Sequence, residues 1–371
     1  MVEWKEYKLG DVIKFGNGKV RPTSVGPIPV YGGNGILDFC NEFNYENETI
    51  VIGRVGAYCG AVYYENKSIW VSDNALAAVP KDKFIAKFLY YFLKNLELNQ
   101  FAEGSSHPLV TQSLLNSIDV FITDDKDEQQ TISSILSSLD DKIDLLHRQN
   151  KTLEQLAETL FRQWFVEEAD ESWEEISLGE ILTITSSKRI YYSEYVQYGV
   201  PFYRSKEIIE LHNTGSTNGE LFISEERFNE INNRFGAPIE GDILMTSVGT
   251  LGVPYRVRNK DKFYFKDGNL TWFKDFKILP SSIIYLWLNS RIGQEQLSNI
   301  TIGSTQEALT IEGLKSISLK IPPLEKTKIY EIEFNSIVTK TEFNQDQIRT
   351  LTQLRDTLLP KLMSGEVRVK I

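Results

Sequence analysis

The 371-residue chain reads as an α+β protein: two repeated mixed α/β domains, joined by two long helices that form an antiparallel coiled coil with pseudo-two-fold symmetry. Three observations predict this. The helical stretch QNKTLEQLAETL, Gln149 to Leu160, nearly recurs as QIRTLTQLRDTL, Gln347 to Leu358. Ahead of each copy lies a strand-rich segment whose landmarks repeat in the same order, the mark of a duplicated architecture. Within the first helix, apolar residues recur at alternating steps of four and three, which is a coiled-coil seam rather than a core stripe.

The landmarks define each element in turn. WKEYKLGDVI from Trp4 is echoed by WEEISLGEIL from Trp173, and IPVYGG from Ile28 by VPFYRS from Val200. IVIGRVGAYCG from Ile50 matches ILMTSVGTLG from Ile243, pairing Val55 with Val248 and Gly56 with Gly249. GSSHPLVTQSLLNSIDVFI from Gly104 matches GSTQEALTIEGLKSISLKI from Gly303. The offsets run 169, 172, 193 and 199, then 198 for the helix, so about 20 additional residues enter the second half between Tyr203 and Ile243. The expected domains are 1–124, a helix in 125–168, a second domain in 169–324, and a second helix in 325–371.

The first seam holds Ile132, Leu136, Leu139, Ile143, Leu146, Asn150, Leu153, Ala157, Leu160 and Trp164. Asn150, polar within an apolar seam, is a register-fixing position. The second copy keeps Ile337, Ile348, Leu351 and Leu358 but has Thr341 and Asn344 where the first has Ile143 and Leu146. A helix from Asp127 to Phe165 spans on the order of 58 Å at 1.5 Å per residue. Trp4 and Trp173, at equivalent domain starts, are expected core anchors.

Composition excludes several classes. An apolar content of 41% with 25% charged residues is that of a globular protein. The longest apolar runs, such as Phe88 to Leu93, fall far short of the roughly 20 residues that span a bilayer. The start, MVEWKEYKLGD, lacks a secretory pattern, which gives a cytoplasmic expectation. Cys40 and Cys59 have no metal-ligand spacing and read as packing residues. A net charge of −11 argues against nucleic acid only until it is located: residues 125–171 hold five Lys/Arg against twelve Asp/Glu, leaving the domains near neutral.

Two domains held apart by helices of equal length suit duplex DNA, whose turn is about 34 to 36 Å. Because the domains share a framework but differ elsewhere, the expected target is bipartite and non-palindromic, with an unread gap. On these residues the chain resembles the specificity (S) subunits of type I restriction-modification systems. The carriers are the block GSTQEALTIEGLKSISLKIPPL, the helix DEQQTISSILSSLDDKIDLLHRQNKTLEQLAETLFRQWF and the ending LLPKLMSGEVRV. SSHPLV in the first block departs from the Thr-Gln pattern that Thr305 and Gln306 keep. The resemblance implies two target-recognition domains on double-stranded DNA, two methyltransferase (M) subunits docked on the helices, and restriction/translocase (R) subunits joining that core. It further implies that S-adenosylmethionine, ATP and Mg act in the partner subunits, with no cofactor in this chain.

The missing motifs agree. An adenine methyltransferase loop of the Asn/Asp-Pro-Pro-Tyr/Phe type does not occur, and GNGKVR from Gly16 lacks the spacing and hydroxyl of a phosphate-binding loop. No catalytic or metal residue is therefore assigned. The alternatives are a self-sufficient methyltransferase or nuclease, and a protein-binding coiled-coil adaptor.

Candidate DNA contacts follow from what phosphates and base edges accept: cations, amides and hydroxyls on loops. In the first domain these are Lys19 and Arg21, Tyr31 and Asn34, Arg54, and Ser105, Ser106 and His107. In the second they are Ser187, Lys188 and Arg189, then Tyr203, Arg204 and Lys206, then Ser247 and Thr250, and finally Ser304, Thr305 and Gln306. Off the seam, Gln149, Thr152, Gln155 and Thr159 recur as Gln347, Thr350, Gln353 and Thr357. With Arg162 and Gln163 they form the expected M-subunit face, since a repeated polar set serves no packing purpose.

Overall fold

The computed structural model describes residues 4–104, 108–303 and 307–369. It divides into two compact units, Met1–Ile143 with Leu351–Ile371, and Asp144–Thr350.

The first unit runs β1 (Trp4–Lys8), α1 (Leu9–Val12), β2 (Ile13–Asn17), β3 (Ile28–Gly32), β4 (Gly35–Cys40), β5 (Thr49–Gly53) and β6 (Val62–Glu65). There follow β7 (Trp70–Val71), β8 (Ala75–Pro80), α2 (Ala86–Asn95), α3 (Gln112–Ser117), β9 (Asp119–Thr123) and the start of α4 (Lys126–Arg162). β1 and β9 pair antiparallel, with Trp4 opposite Thr123, so the two ends of the domain close on each other. The central sheet has the order β2-β8-β5-β6, and a second sheet has the order β4-β3-β7. Strand alternation assigns the faces: Ile50, Ile52, Leu76 and Ala78 enter the main core with Phe88 and Leu89 of α2, whereas Val51, Ala75 and Ala77 meet Tyr31 and Val71. The alanines of β8 fit a strand covered on both sides, where larger side chains would not.

The second unit repeats this plan. It contains β10 (Glu175–Ser177), α5 (Leu178–Ile181), β11 (Thr183–Thr185), β12 (Tyr195–Val196), β13 (Val200–Tyr203), α6 (Ser205–Thr214), β14 (Phe222–Ile223) and α7 (Glu225–Phe235). Next come β15 (Ile243–Thr246), β16 (Pro254–Arg256), β17 (Tyr264–Phe265), β18 (Leu270–Lys274), α8 (Ser281–Asn289) and α9 (Arg291–Asn299). α10 (Ile311–Ser316), β19 (Ser318–Lys320) and α11 (Leu324–Met363) complete the chain. β10 pairs with β19, and the main sheet β11-β18-β15-β16 matches β2-β8-β5-β6 strand for strand. The additional residues after Tyr203 build α6 and α7, which have no counterpart before β5. Even the caps repeat: Thr111 Oγ1 accepts from Leu114 N at 3.2 Å and Thr310 Oγ1 from Gly313 N at 3.0 Å, each satisfying a free amide at a helix start. Trp4 and Trp173 are both buried in their cores, and Cys40 and Cys59 are free and buried.

In each unit α4 and α11 contribute to the packing. Ile132 and Leu136 share the first core with Leu362 and Met363, and Arg355 Nη1 donates to Asp140 Oδ1 at 2.9 Å. In the second unit Asn344 Nδ2 donates to Asn150 Oδ1 at 2.8 Å, and Trp164 stacks on Tyr330 with centroids 4.2 Å apart. Partners on α11 descend as those on α4 rise, so the helices run antiparallel there. The seam reading holds at Ile132, Leu136, Ile143, Leu146, Asn150 and Ala157, all buried. α4 ends at Arg162 in a π-helical turn, Gln163–Glu167, slightly short of the expected Phe165.

Candidate nucleic-acid interface

In the first unit the glycine-rich loops converge. Arg54 N donates to Asn74 O at 3.0 Å, Val110 N donates to Arg54 O at 3.0 Å, and Gly56 N reaches Pro108 O at 3.3 Å. Glu103 and Leu109 exchange both backbone hydrogen bonds, at 3.0 and 2.9 Å, closing a hairpin over the intervening residues. Gly53 permits the approach: a Cβ there would lie 2.7 Å from Gly33 O. Thus the turns at Gly33, Arg54 and Asn74 and the hairpin after Glu103 form one loop cluster. Lys19 joins it through its backbone, which donates to Val71 O at 3.0 Å beside Ser72.

The second unit rebuilds the same scaffold. Ser247 N donates to Asn269 O and Leu309 N to Ser247 O, both at 2.9 Å, and Ile302 and Ala308 exchange bonds at 3.0 and 2.9 Å. Gly56 and Gly249 take φ of +75° and +81°, with open space where a Cβ would stand. The repeated turn therefore presents the backbone in the left-handed region at equivalent places, while the side chain before it changes from Arg54 to Ser247.

The expected contacts fare unequally. Arg54 is half-buried with its Nε buried and without a hydrogen-bond partner, so the guanidinium is positioned by packing rather than by an ion pair. Lys19, Asn34, Lys188 and Thr250 are exposed. Lys188 N donates to the Tyr264 phenol at 2.8 Å, and its ammonium lies 4.8 Å from the centre of the Phe235 ring. The Ser187 hydroxyl is buried and unpartnered. Ser105, Ser106, His107, Ser304, Thr305 and Gln306 lie outside the described residues.

Several expected contacts are buried or already paired. Ser247 is buried, its hydroxyl 2.5 Å from Thr271 Oγ1, so it holds β15 to β18 instead of facing solvent. Tyr31 is buried with its hydroxyl on Glu65 at 3.3 Å, and burial first, then that carboxylate, pushes the phenol up to about 12. Tyr203 packs on Phe263, and burial likewise pushes it up to about 12. Arg204 caps α6 and donates to Glu207 at 2.6 Å and Glu220 at 3.2 Å, while Lys206 donates to Glu220 at 3.0 Å. Arg21 and Arg189 carry carboxylate partners too, Asp38 and Asp267. A cation already neutralised attracts phosphate less, so the pairs must open or share before they contribute. Sequence reasoning missed Tyr192 and Tyr198, which follow Arg189 and are 88% and 86% exposed; the run KRIYYSEYVQY, cations followed by closely spaced aromatics, is a signal for stacking surfaces.

On the helices, Thr152, Gln155, Thr159, Arg162, Gln163, Thr350, Gln353 and Thr357 are exposed, and Gln149 and Gln347 half-buried. The four threonine hydroxyls donate to carbonyls one turn back, at 2.7 to 3.0 Å, so they are already satisfied within the helix. Leu145 and Leu156 are exposed and recur at offset 198 as exposed Phe343 and Leu354. Positions 145, 149, 152, 156, 159 and 163 step by four and three, so an outer stripe runs along α4 opposite in character to a solvated face, and α11 repeats it. Among the described residues no group of three or more His, Cys, Asp or Glu is arranged to hold a metal ion. No helix among them is long and apolar enough to cross a membrane.

Comparison with known proteins identifies the family and the fold. The model of the type I restriction modification DNA specificity domain matches residues 1–155 and again 170–353. A Haemophilus influenzae relative, provisionally designated a type I restriction enzyme specificity subunit, is 28% identical over 344 residues, 88% of this chain and 84% of its own. A type I restriction enzyme specificity subunit of Methanocaldococcus jannaschii is 27% identical, covering 79% of this chain and 71% of that one. The crystal structure of a type I restriction-modification S subunit from M. genitalium superposes with a TM-score of 0.71 at 19% identity, over 100% of this chain and 97% of that one, which establishes the shared fold. The double match across both repeats shows that this chain belongs to the type I restriction-modification DNA specificity domain family.

Proposed function

We propose that this chain is the DNA-reading, non-catalytic subunit of a type I restriction-modification enzyme, and that each unit reads one half of a split, non-palindromic duplex site. The observation that carries the reading is the duplicated loop scaffold with unlike side chains on it, Arg54 in one copy and the exposed Thr250 in the other, where the counterpart of Arg54, Ser247, is buried. A common scaffold sets a common mode of docking; different side chains set different bases. In the first unit the reading residues are Arg54, Lys19 and Asn34; in the second they are Lys188, Thr250 and the paired cations around Arg189.

The helices set the spacing between the half-sites and dock two methyltransferase subunits on the repeated stripe centred on Leu156 and Leu354. Restriction/translocase subunits join that core in the cytoplasm. S-adenosylmethionine, ATP and Mg enter with those partners. The absence of methyltransferase and phosphate-loop motifs from the sequence supports this division of labour.

The test is selection of binding sites from random duplexes by the complex with its methyltransferase subunit, at several salt concentrations. Two short conserved blocks around a fixed unread gap, with affinity falling steeply as salt rises, are expected. A single uninterrupted motif, or retention insensitive to salt, would favour the adaptor reading.

A further inference from the structure

Within the second unit a cavity of about 420 Å³ lies against α4, α6, α8 and α11. That volume falls in the range of small-molecule sites, roughly 300 to 1,000 Å³. Its apolar wall is Ala157, Leu211, Leu286, Ile337 and Val338, and its charged groups are three glutamates and two arginines. Glu154 and Glu158 line it from α4 and Glu342 from α11. Arg256 Nη1 reaches Glu342 Oε1 at 3.4 Å, which leaves the second carboxylate oxygen free of that contact. The other lining arginine, Arg258, is turned to Asp346 at 3.2 Å and to Gln345. Both arginine charges act on Glu342, so two guanidiniums face three glutamates.

His212 adds an acceptor. Its Nδ1 lies 2.7 Å from Pro254 O, and a carbonyl only accepts, so Nδ1 carries the proton. Burial holds the ring below its ordinary pKa, so it is neutral and Nε2 keeps a lone pair. Tyr285, also lining the cavity, is pushed up to about 12 by burial and offers a neutral phenol ring. The combination is an apolar trough with one carboxylate in excess, a neutral imidazole and two tyrosine rings, Tyr255 and Tyr285.

We infer that this cavity binds a small aliphatic amine cation, whose methylenes lie on the apolar wall while its ammonium groups donate to Glu342 and Glu154. Ammonium groups satisfy acceptors without needing any from the protein, and aromatic rings add cation–π attraction. The proposal does not depend on DNA reading, and its test contains no DNA.

The test is isothermal titration of the full chain at low salt with spermidine, with butane-1,4-diol as an uncharged linear control. Saturable one-to-one binding of spermidine and none of the diol is expected. Glu342→Gln and, separately, Glu154→Gln should each weaken it about tenfold, the loss of one charge-assisted contact. Glu154 is exposed, so its variant keeps the test interpretable even where Glu342→Gln perturbs folding. No saturable binding by the unmodified chain would overturn the inference. Equal affinity in the Glu154→Gln variant and the unmodified chain would also overturn it, since the amine would then be condensing on acidic surface.

Discussion

The Asn150–Asn344 contact allows the sharpest quantitative prediction. Asn344 is fully buried and Asn150 nearly so; the amide of one donates to the carbonyl of the other at 2.8 Å, and Asn344 Oδ1 has no partner. Replacing Asn344 by Ala strands the Asn150 carbonyl in an apolar seam, at a cost of about 1 to 3 kcal/mol. For a unit of this size each kcal/mol lowers Tm by roughly 2 to 4 °C, so a loss of about 2 to 12 °C is expected. Asn150→Leu/Asn344→Leu removes both amides and should recover most of that loss, because two matched apolar groups carry no stranded polar atom. The repeat explains why the amides are kept: at offset 198, Asn150 would face Leu146 in a pairing of α4 with another α4, and Asn344 would face Ile348 in a pairing of two α11 helices. Only the α4–α11 pairing satisfies both, a specificity device of the kind polar seam residues provide. The assay is a double-mutant cycle by thermal and urea unfolding, with the dimer fraction measured by analytical ultracentrifugation. Single variants as stable as the parent chain, or a cycle with no coupling, would refute the reasoning.

Three further outcomes are expected. Arg54→Ala should weaken DNA binding by the methyltransferase complex about 5- to 150-fold, the value of a lost base contact of about 1 to 3 kcal/mol, and relax specificity in one half-site, whereas Ser247→Ala should leave the recognised sequence unchanged; site selection with both variants checks this. Leu156→Glu with Leu354→Glu should abolish co-elution with the methyltransferase subunit while leaving the circular dichroism spectrum of the isolated chain intact. Burial holds the Glu342 carboxyl above the ordinary carboxylate range, so the folded state binds that proton more tightly than the unfolded chain. Its contribution to stability is therefore fully present below the unfolded pKa and is lost as pH rises through the folded value, so unfolding curves from pH 4 upward should lose that segment of slope in Glu342→Gln.

The repeat, the seam and the loop equivalences were legible because each rests on local spacing. Val55 with Val248, Gly56 with Gly249 and Thr111 with Thr310 are matches that survive divergence of everything around them. What was not legible depends on residues far apart in the chain. The partners of Arg21 and Arg189 lie on another strand and in a loop 78 residues away, Asp38 and Asp267, and no pattern around either arginine announces them. Ser247 looked exposed because it precedes a glycine turn, yet it is buried just after β15, with its hydroxyl hydrogen-bonded to that of Thr271, 24 residues away. The outer stripe was read only in its polar members, since Leu145 and Leu156 were assigned to neither the seam nor the repeated polar set. α6 and α7 were visible only as a jump in offset, because an insertion has no counterpart against which to be read.

The central claim is that one chain reads two unlike half-sites through the same scaffold. Single-molecule methylation mapping tests it most directly, in cells carrying this chain with its cognate methyltransferase subunit, and in cells where residue 54 is alanine. The account predicts a split motif with methyladenine in each half, absent without this chain, and altered by Arg54→Ala in one half alone. An unsplit motif made by an active partner, or changes spread equally over both halves, would contradict it.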